Sequence, residues 1–380
     1  MKKIMTALII AALLPAGARA LEPVGEEALA VAVPSAVLME KTTGELIYEK
    51  DAHTPGAPAS VTKIMTLLLI MEEIGAGRLS PDDVVVCSSR AASMGGSQIW
   101  LEEGEQMTVD DMLKAVAVVS ANDCAVALAE HVSGSEESFV RRMNARAAEL
   151  GMTGTRFCDC TGLTDDPEHL TTAYDVALMS RELISCDLIK TYSTIWMDTL
   201  RNGEAELVNT NRLVRFYKGT TGLKTGFTRK AMYCLSATAE RDGTEYIAVV
   251  MHGASSDERF ESAKALLNFA FANYALCPLR SPKPLPPVCV TLGASDSVQP
   301  AYGGQESLLL EKSGLGELNY EFVLPQALEA PVAEGEQIGE MIVRSSGSEL
   351  ARVPLLAGSA VGRLKLFSLY GRMLARLFGS

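Results

Sequence analysis

Histidine is scarce in this chain, which has four in 380 residues. None of the four stands in a motif typical of hydrolases, and the sequence has no Gly-x-Ser-x-Gly segment of the kind that presents a nucleophilic serine on a sharp turn. A serine hydroxyl needs a nearby base to act as a nucleophile. If this protein uses a serine, the sequence indicates that its base is not an imidazole.

Basic charge is also in short supply. The chain has 34 Lys and Arg against 47 Asp and Glu, a formal net charge of −13, and its main body has no dense basic run. Nucleic-acid-binding proteins usually carry a basic face, so we expect no nucleic-acid partner. With 48% hydrophobic and 21% charged residues, the composition is that of an ordinary globular protein with a large core.

The eight cysteines do not form a regular disulfide framework. Cys124, Cys234 and Cys289 stand in apolar patterns, where a thiol acts as a small hydrophobe. Cys158 and Cys160 are too close for a usual zinc pair, and no second Cys/His cluster accompanies them. We therefore predict mostly free, buried thiols, with neither a metal nor a cofactor.

The N-terminal segment has the features of a secretory leader. Two lysines precede an apolar run over residues 4–14, and Pro15 and a small-x-small sequence at residues 18–20 follow it. The run is too short to span a bilayer. We predict a signal peptide over residues 1–20 and an exported protein; the alternative is the N-terminal helix of a cytosolic protein.

The C-terminal segment, residues 362–380, contains no acidic residue. On a helix, Lys365, Ser368, Arg372 and Arg376 would lie on one side, with leucine and phenylalanine side chains opposite. This pattern predicts a helix that lies in a membrane interface with its basic face toward anionic lipid. The alternative is a terminal helix that docks on its own protein.

Apolar periodicity predicts an α+β domain followed by a small all-β domain. A hairpin is indicated in residues 35–49 and three strands around Asp242-Gly243, with helices between and after them. One antiparallel sheet covered by helices would combine these elements. A proline-rich stretch after Cys277 and short apolar runs in 288–357 indicate the second domain. The predicted segments are the leader 1–20, a first domain 21–277, a β-rich domain 278–358 and the amphipathic helix 359–380.

Two predicted helices flank a short polar turn. Thr108 stands three residues before Asp111, a capping pattern for a helix that continues to Val119. Ser120-Ala121-Asn122 interrupts this helix, and an apolar helical pattern resumes directly afterwards. The connection therefore displays the side chains of Ser120 and Asn122.

Three short motifs follow one another along the chain. They are Ser60-x-x-Lys63 at a predicted helix start, Ser120-x-Asn122 in the turn, and Lys224-Thr225-Gly226 on a predicted strand. Each motif alone is weak, because chance supplies such patterns freely. Together and in this order they form the signature of class A β-lactamases and penicillin-binding proteins.

The residues themselves favour a lysine-activated serine. Lys63 precedes an apolar helix and is expected to face Lys224, and both burial and a neighbouring cation would lower its pKa and make it a base for Ser60. The backbone N–H groups of Ser60 and Phe227 would stabilise an oxyanion, and Gly226 would let the substrate approach.

The remaining motif residues suggest further roles. Ser120 can relay a proton to a leaving amine, and Asn122 can bind a substrate amide. Lys224 and Thr225 can hold a carboxylate. The structural alternatives are a capping serine, a snorkelling lysine, turn-forming polar residues and a surface strand lysine.

The chain resembles the D-alanyl-D-alanine carboxypeptidases, which are low-molecular-mass penicillin-binding proteins. The resemblance covers residues 30–277 strongly and the rest in layout. The segments that carry it are "PASVTKIMT", "GGSQIWLEEGEQMTVDDMLKAVAVVSAND", "FVRRMNARAAELGM", "TAYDVALMSREL", "NTNRLV" and "GLKTGFT". Arg259 resembles a position that can meet the substrate's terminal carboxylate. Asp159 stands where the family usually has Asn, so no role is carried over to it.

This resemblance implies a β-lactamase-like fold and an exported serine peptidase that trims peptidoglycan stem pentapeptides. It also implies covalent inhibition by β-lactams. Members of the family are often tethered to the outer face of the cytoplasmic membrane by a C-terminal amphipathic helix. Our hypothesis is an acyl-enzyme mechanism on Ser60. One alternative is a β-lactamase, although the Glu-x-x-Leu-Asn stretch of class A enzymes is absent. The other is a catalytically silent wall-binding protein of the same fold, against which the intact motifs speak.

Overall fold

A computed structural model gives the structure of residues 21–365. The predicted leader and most of the predicted amphipathic helix lie outside these described residues. The chain forms two compact units, Leu21–Tyr274 and the residues from Ala275 onward. No helix among the described residues is long and apolar enough to cross a membrane.

The first unit is mixed α and β. Its strands are β1 Ser35–Glu40, β2 Leu46–Lys50, β3 Val84–Val86, β4 Gln106–Thr108, β5 Met197–Leu200, β6 Ala205–Val208, β7 Thr220–Thr228, β8 Met232–Arg241 and β9 Thr244–Gly253. Its helices are α1 Lys63–Gly75, α2 Ser89–Ala92, α3 Val109–Val118, α4 Asn122–Ser133, α5 Glu136–Glu149, α6 Ala173–Ile184, α7 Leu188–Ser193, α8 Leu213–Phe216 and α9 Ser256–Asn273, with 3₁₀ turns at Ala59–Thr62 and Arg201–Gly203.

A five-stranded antiparallel sheet forms the centre of this unit, in the order β2-β1-β9-β8-β7. The predicted antiparallel sheet with helices on it is confirmed. Successive side chains of a strand point to opposite faces, and β9 shows this directly. Ile247 and Val249 join the large core that the helices around α1 share, whereas the ring of Tyr246 makes an edge-to-face contact with Phe271 of α9. Helices therefore cover both faces of the sheet.

Helix α1 is the central element of the helical layer. Apart from Glu72, Ile74 and Gly75, its side chains are buried, and it packs against α4, α5 and α6. A helix that is apolar on nearly all sides must be surrounded by protein. Its N-terminal end, at Lys63, consequently lies inside the molecule.

The second unit is all β, as predicted. Its strands are β10 Tyr274–Pro278, which begins at the boundary, β11 Val288–Thr291, β12 Ser297–Val298, β13 Pro300–Tyr302, β14 Ser307–Glu311, β15 Leu318–Val323, β16 Ala327–Glu329, β17 Gln337–Ser345 and β18 Ser348–Ala357, with a 3₁₀ turn at Lys312–Gly314. The largest of its sheets has the order β13-β18-β17-β15. Two small clusters of buried apolar residues stabilise it.

All eight cysteines are free, and five of them are buried. This agrees with the prediction of mostly free, buried thiols. Cys289 is the exception among the three that were placed in apolar patterns, because it is exposed on β11. Its strand alternates buried and exposed residues, and Cys289 falls on the outward side.

The capping pattern at Thr108 is confirmed, and it generates a prediction about stability. The Thr108 hydroxyl accepts the N–H of Asp111 at 3.1 Å and so caps α3. Thr108→Ala is expected to lower the free energy of unfolding by about 1 kcal/mol, because one N–H at the helix start loses its partner. Urea unfolding of the full chain measures this loss. Thr108→Ser retains the acceptor and serves as the control; equal losses in both variants would contradict the capping role.

Candidate active site

Ser60 and Lys63 meet where the 3₁₀ turn Ala59–Thr62 passes into α1. Ser60 is half-buried, whereas Lys63 is completely buried. The Lys63 Nζ donates to Ser60 Oγ at 3.2 Å, to Asn122 Oδ1 at 2.5 Å and to the carbonyl oxygen of Thr161 at 2.8 Å. All three acceptors are uncharged. The amine is thus aimed at the serine hydroxyl by two other bonds.

Burial lowers the pKa of Lys63 from its ordinary value to about 8. Taking an ammonium group out of water disfavours its charged form. Cys160, Asp159 and Asp123 act in the opposite direction. Burial raises the pKa of the Cys160 thiol well above its ordinary value, so at neutral pH the opposing charges are the two carboxylates. At pH 7 roughly a tenth of Lys63 is therefore neutral, far more than for a lysine in water.

The sequence predicted that the charge of Lys224 lowers the pKa of Lys63. The structure shows the reverse effect, because the charge of Lys63 lowers the pKa of Lys224. Lys224 is also completely buried, and burial, Lys63 and Arg259 together lower its pKa well below its ordinary value. Its Nζ donates to the carbonyl oxygen of Thr225 at 3.0 Å. The Thr225 hydroxyl donates to Thr210 Oγ1 at 2.7 Å.

The polar turn between α3 and α4 carries Ser120 and Asn122, and the Asn122 side chain reaches Lys63. Ser120 has a positive φ of 66° and a buried hydroxyl that has no hydrogen-bond partner among residues 21–365. Asn122 accepts from Lys63, and its Nδ2 donates to the carbonyl oxygen of Gly95 at 2.7 Å. Asn122 therefore holds the lysine, a role that the sequence analysis did not assign to it.

Gly226 lets β7 lie directly against the backbone of the serine turn. A Cβ atom at this position would be 2.9 Å from the carbonyl oxygen of Pro58, 3.1 Å from the nitrogen of Val61 and 3.2 Å from the nitrogen of Ser60. Such distances are too short for any larger residue without movement of the backbone. The strand that carries Phe227 is thereby kept beside Ser60, although the expected reason for this glycine was the approach of a substrate.

Arg259 is buried on α9 and bonds to the sheet. Its guanidinium donates to the carbonyl oxygens of Gly226 and Cys234 at 3.2 and 3.3 Å and lies over the rings of Tyr233 and Phe260. Burial lowers its pKa to about 10. Arg259 thus holds the end of β7, and its contact with a substrate carboxylate stays a prediction.

The segment that positions the Thr161 carbonyl was not predicted from the sequence. The Asp159 carboxylate accepts the N–H groups of Thr161, Gly162 and Thr164 at 2.8, 2.5 and 2.8 Å. Gly162 has a φ of 79°, and a Cβ there would be 1.8 Å from the carbonyl oxygen of Ala59. The Asp-x-Thr-Gly sequence is a turn signal that could have located this segment. Asp159 therefore has a role, although none was carried over from the family.

Within the part of the chain that the structure describes, no cluster of three or more His, Cys, Asp or Glu side chains is arranged to hold a metal ion. The site places a serine hydroxyl beside a buried amine and packs a glycine-bearing strand against the serine turn. These groups suit nucleophilic attack on a carbonyl carbon.

Comparison with known proteins gives matches over both units. Residues 22–255 match the family model described as D-alanyl-D-alanine carboxypeptidase, and residues 288–363 match the C-terminal domain of penicillin-binding protein 5. The chain is 41% identical to the D-alanyl-D-alanine carboxypeptidase DacF of Bacillus subtilis over 334 residues, which are 87% of this chain and 86% of that protein.

Solved structures give the same result. Penicillin-binding protein 5 from Haemophilus influenzae matches with a TM-score of 0.74 and 28% identity, covering 88% of this chain and 98% of that one. Penicillin-binding protein D2 from Listeria monocytogenes, solved in an ampicillin-bound form, matches with a TM-score of 0.59 and 30% identity over 64% of this chain and 99% of that one.

The charges around Lys63 generate a prediction about its pKa. Asp159→Asn removes a carboxylate that favours the charged amine, so the pKa of Lys63 is expected to fall below its value of about 8. Carbon-13 NMR of the labelled lysine Cε atoms would measure the titration midpoint. Asp165→Asn, which removes an exposed carboxylate from the same segment, should leave the midpoint unchanged. An unchanged midpoint in Asp159→Asn would contradict the electrostatic role of this carboxylate, whereas a rise would show that the turn had lost the N–H bond of Thr164 and admitted water to Lys63.

Proposed function

The chain belongs to the D-alanyl-D-alanine carboxypeptidase family of serine peptidases, which act on peptidoglycan, and from this premise we propose that Ser60 is its nucleophile. The observation that carries the proposal is the hydrogen bond of 3.2 Å between Lys63 Nζ and Ser60 Oγ, made by an amine with a lowered pKa. A base must lie within hydrogen-bond reach of the proton that it removes.

Acylation begins when neutral Lys63 takes the proton of the Ser60 hydroxyl. The Ser60 oxygen forms a bond to the carbonyl carbon between the last two D-alanines, and the carbonyl π electrons move to its oxygen. The backbone N–H groups of Ser60 and Phe227 stabilise this oxyanion. The close packing of Gly226 on the backbone of Ser60 supports that assignment, because it keeps the two segments together.

Collapse of the tetrahedral intermediate breaks the peptide bond. The leaving nitrogen needs a proton, and we assign its delivery to Ser120, whose buried hydroxyl has no bond to any of residues 21–365. The proton taken by Lys63 then passes through this hydroxyl to the departing D-alanine. Water attacks the remaining ester and, with Lys63 again as base, regenerates free Ser60 and the shortened stem peptide.

Substrate orientation is assigned to β7. The terminal carboxylate of the stem would bind at Lys224 and Thr225, with Arg259 behind them on α9. Lys224 supports this because an incoming carboxylate would favour its charged form, which burial now disfavours. Asn122, which was expected to bind a substrate amide, keeps that role beside its bond to Lys63, since Nδ2 has a second hydrogen.

β-Lactams are proposed as covalent inhibitors at the same serine. The Listeria monocytogenes relative is described as ampicillin-bound. A β-lactam presents a carbonyl carbon for attack by Ser60, as the stem peptide does. When the lactam ring opens, its nitrogen stays bonded to the acyl group through the other atoms of the former ring.

A covalent label tests the nucleophile. Wild-type protein is expected to form an adduct with a fluorescent penicillin and to release D-alanine from a defined stem pentapeptide, whereas Ser60→Ala should do neither. Lys63→Ala should slow acylation by about 10²- to 10⁴-fold, the usual contribution of a general base. Gel fluorescence and D-alanine assays measure these outcomes.

The control for this test is Ser185→Ala, which changes an exposed serine at the end of α6. It should be labelled like the wild type. Persistence of the adduct in Ser60→Ala would overturn the assignment. For a β-lactamase, turnover of a cephalosporin would exceed turnover of the pentapeptide.

The family and the composition of the two terminal segments support a proposal for the location of the enzyme. Members of the family are cell-wall enzymes. We propose that residues 1–20 direct export and that residues 359–380 attach the protein to the outer face of the cytoplasmic membrane. Most of both segments lies outside the described residues, and the proposal rests on their sequence: a basic and apolar leader, and a C-terminal segment without acidic residues.

Vesicle binding tests the attachment. The full chain is expected to sediment with vesicles that contain anionic lipid and to bind zwitterionic vesicles less well. Replacing Lys365, Arg372 and Arg376 by glutamate should abolish the preference, because each cation near an anionic surface contributes about 1 kcal/mol. Equal binding by the variant and the wild type to anionic vesicles would contradict the proposal.

A further inference from the structure

His169 is a buried polar side chain that the proposed mechanism does not use. It lies in the irregular segment between α5 and α6, with 2% of its surface exposed. Its Nδ1 is 2.9 Å from the backbone nitrogen of Cys158, and its Nε2 is 2.8 Å from Thr62 Oγ1. The ring therefore connects the irregular segment with the 3₁₀ turn that carries Ser60.

These two partners determine which nitrogen carries the proton. The N–H of Cys158 can only donate, so Nδ1 must accept and cannot be protonated. The single proton of the neutral ring is then on Nε2, from which it is donated to the Thr62 hydroxyl. A charged ring would place a second N–H against the N–H of Cys158, and one of the two bonds would break.

Both ends of this connection are adjacent to the partners of Lys63. Thr62 immediately precedes Lys63 and follows Ser60 by two residues. Cys158 stands three residues before Thr161, whose carbonyl oxygen accepts a hydrogen bond from Lys63. A further bond, from Thr66 Oγ1 to the carbonyl oxygen of Cys160 at 2.6 Å, ties the same segment to α1.

We propose that neutral His169, protonated on Nε2, is a positioning residue that holds the segment of the Thr161 carbonyl against the serine turn and so keeps Lys63 dry and directed at Ser60. This inference rests on the proposed role of Lys63 as the base. His169 touches neither the serine nor the substrate site in this arrangement, and it acts through the two backbone segments that it joins.

Acid should release this connection. Burial lowers the pKa of His169, as does the charge of Lys230, whereas the carboxylates of Asp159 and Asp166 act in the opposite direction. The ring of Phe157 packs against it at a centroid distance of 5.9 Å and adds no charge. His169 is consequently neutral at pH 7, and a second proton at lower pH would separate the segment of Cys158 from the serine turn.

The pH dependence of acylation tests the proposal. The rate constant for acylation of the full chain by a fluorescent penicillin is measured from pH 5 to 10. In the wild type it should fall with acid around the pKa of Lys63, about 8. His169→Phe should admit water to Lys63 and shift this midpoint upward by about one pH unit, since burial is the largest cause of the lowered pKa. Below the midpoint, such a shift means a roughly tenfold loss in rate.

Partial variants separate positioning from general damage to the fold. Thr62→Val removes the acceptor of the Nε2 proton at nearly constant volume and should shift the midpoint in the same direction. Thr62→Ser keeps a hydroxyl and should restore the wild-type midpoint. His131→Phe, which replaces an exposed histidine of α4, is the matched control. Thermal unfolding of every variant verifies that the protein is folded at the assay temperature.

The outcomes are decisive in both directions. An upward shift of the midpoint in Thr62→Val, together with a wild-type midpoint in Thr62→Ser, supports the proposal, even if His169→Phe fails to fold. An unchanged midpoint in folded Thr62→Val overturns it. Failure of the proposed function is recognised separately: Ser60→Ala would still be labelled, or Lys63→Ala would keep the wild-type pH profile.

Discussion

The burial of one amine is the constraint on which the site depends. Lys63 begins a helix whose remaining side chains are mostly apolar and enclosed, so its Nζ has no access to water. Lowering its pKa from 10.5 to about 8 corresponds to about 3 kcal/mol of disfavoured charge. Because the folded-state pKa is the lower one, the unfolded chain binds more protons between these two values. This destabilisation is therefore present below pH 8 and is lost as the pH rises toward 10.5.

The surrounding structure compensates for that cost with neutral acceptors. Three oxygens, from a hydroxyl, an amide and a backbone carbonyl, receive the hydrogens of Lys63. A carboxylate in any of these places would favour the ammonium and remove the base. Asp159 illustrates the balance: its oxygens bond to backbone N–H groups and shape the turn, while the carbonyl of Thr161 contacts the amine.

The sequence predicts the regular elements and the motif residues, but not what holds them. The hairpin of β1 and β2, the cap at Thr108 and the strands around Asp242-Gly243 carry local signals of period, capping and turn type. The hydrogen bonds that hold Lys63 in place have no such local signal in the sequence. Any residue can supply a backbone carbonyl such as that of Thr161, so no residue type marks it in the sequence. The segment around it also has no apolar periodicity. His169 was one of only four histidines, yet nothing near it in the sequence indicates that it contacts Thr62. Short hairpins such as β5 and β6 were also missed, because strands of four residues have little pattern.

The two serine hydroxyls lie on irregular backbone, whereas Lys63 and Lys224 belong to a helix and a strand. Ser60 lies in a 3₁₀ turn, and Ser120 has a left-handed backbone conformation that costs about 1–3 kcal/mol for a residue other than glycine. That conformation persists because α3 and α4 are packed firmly on either side of it. It also keeps the Ser120 hydroxyl buried and unbonded to the described protein, as the proposed transfer of a proton to the leaving nitrogen requires. The packing of the two helices thus supplies the free energy that holds Ser120 in this strained conformation. Under the proposed mechanism, substrate binding then requires less reorganisation of the protein.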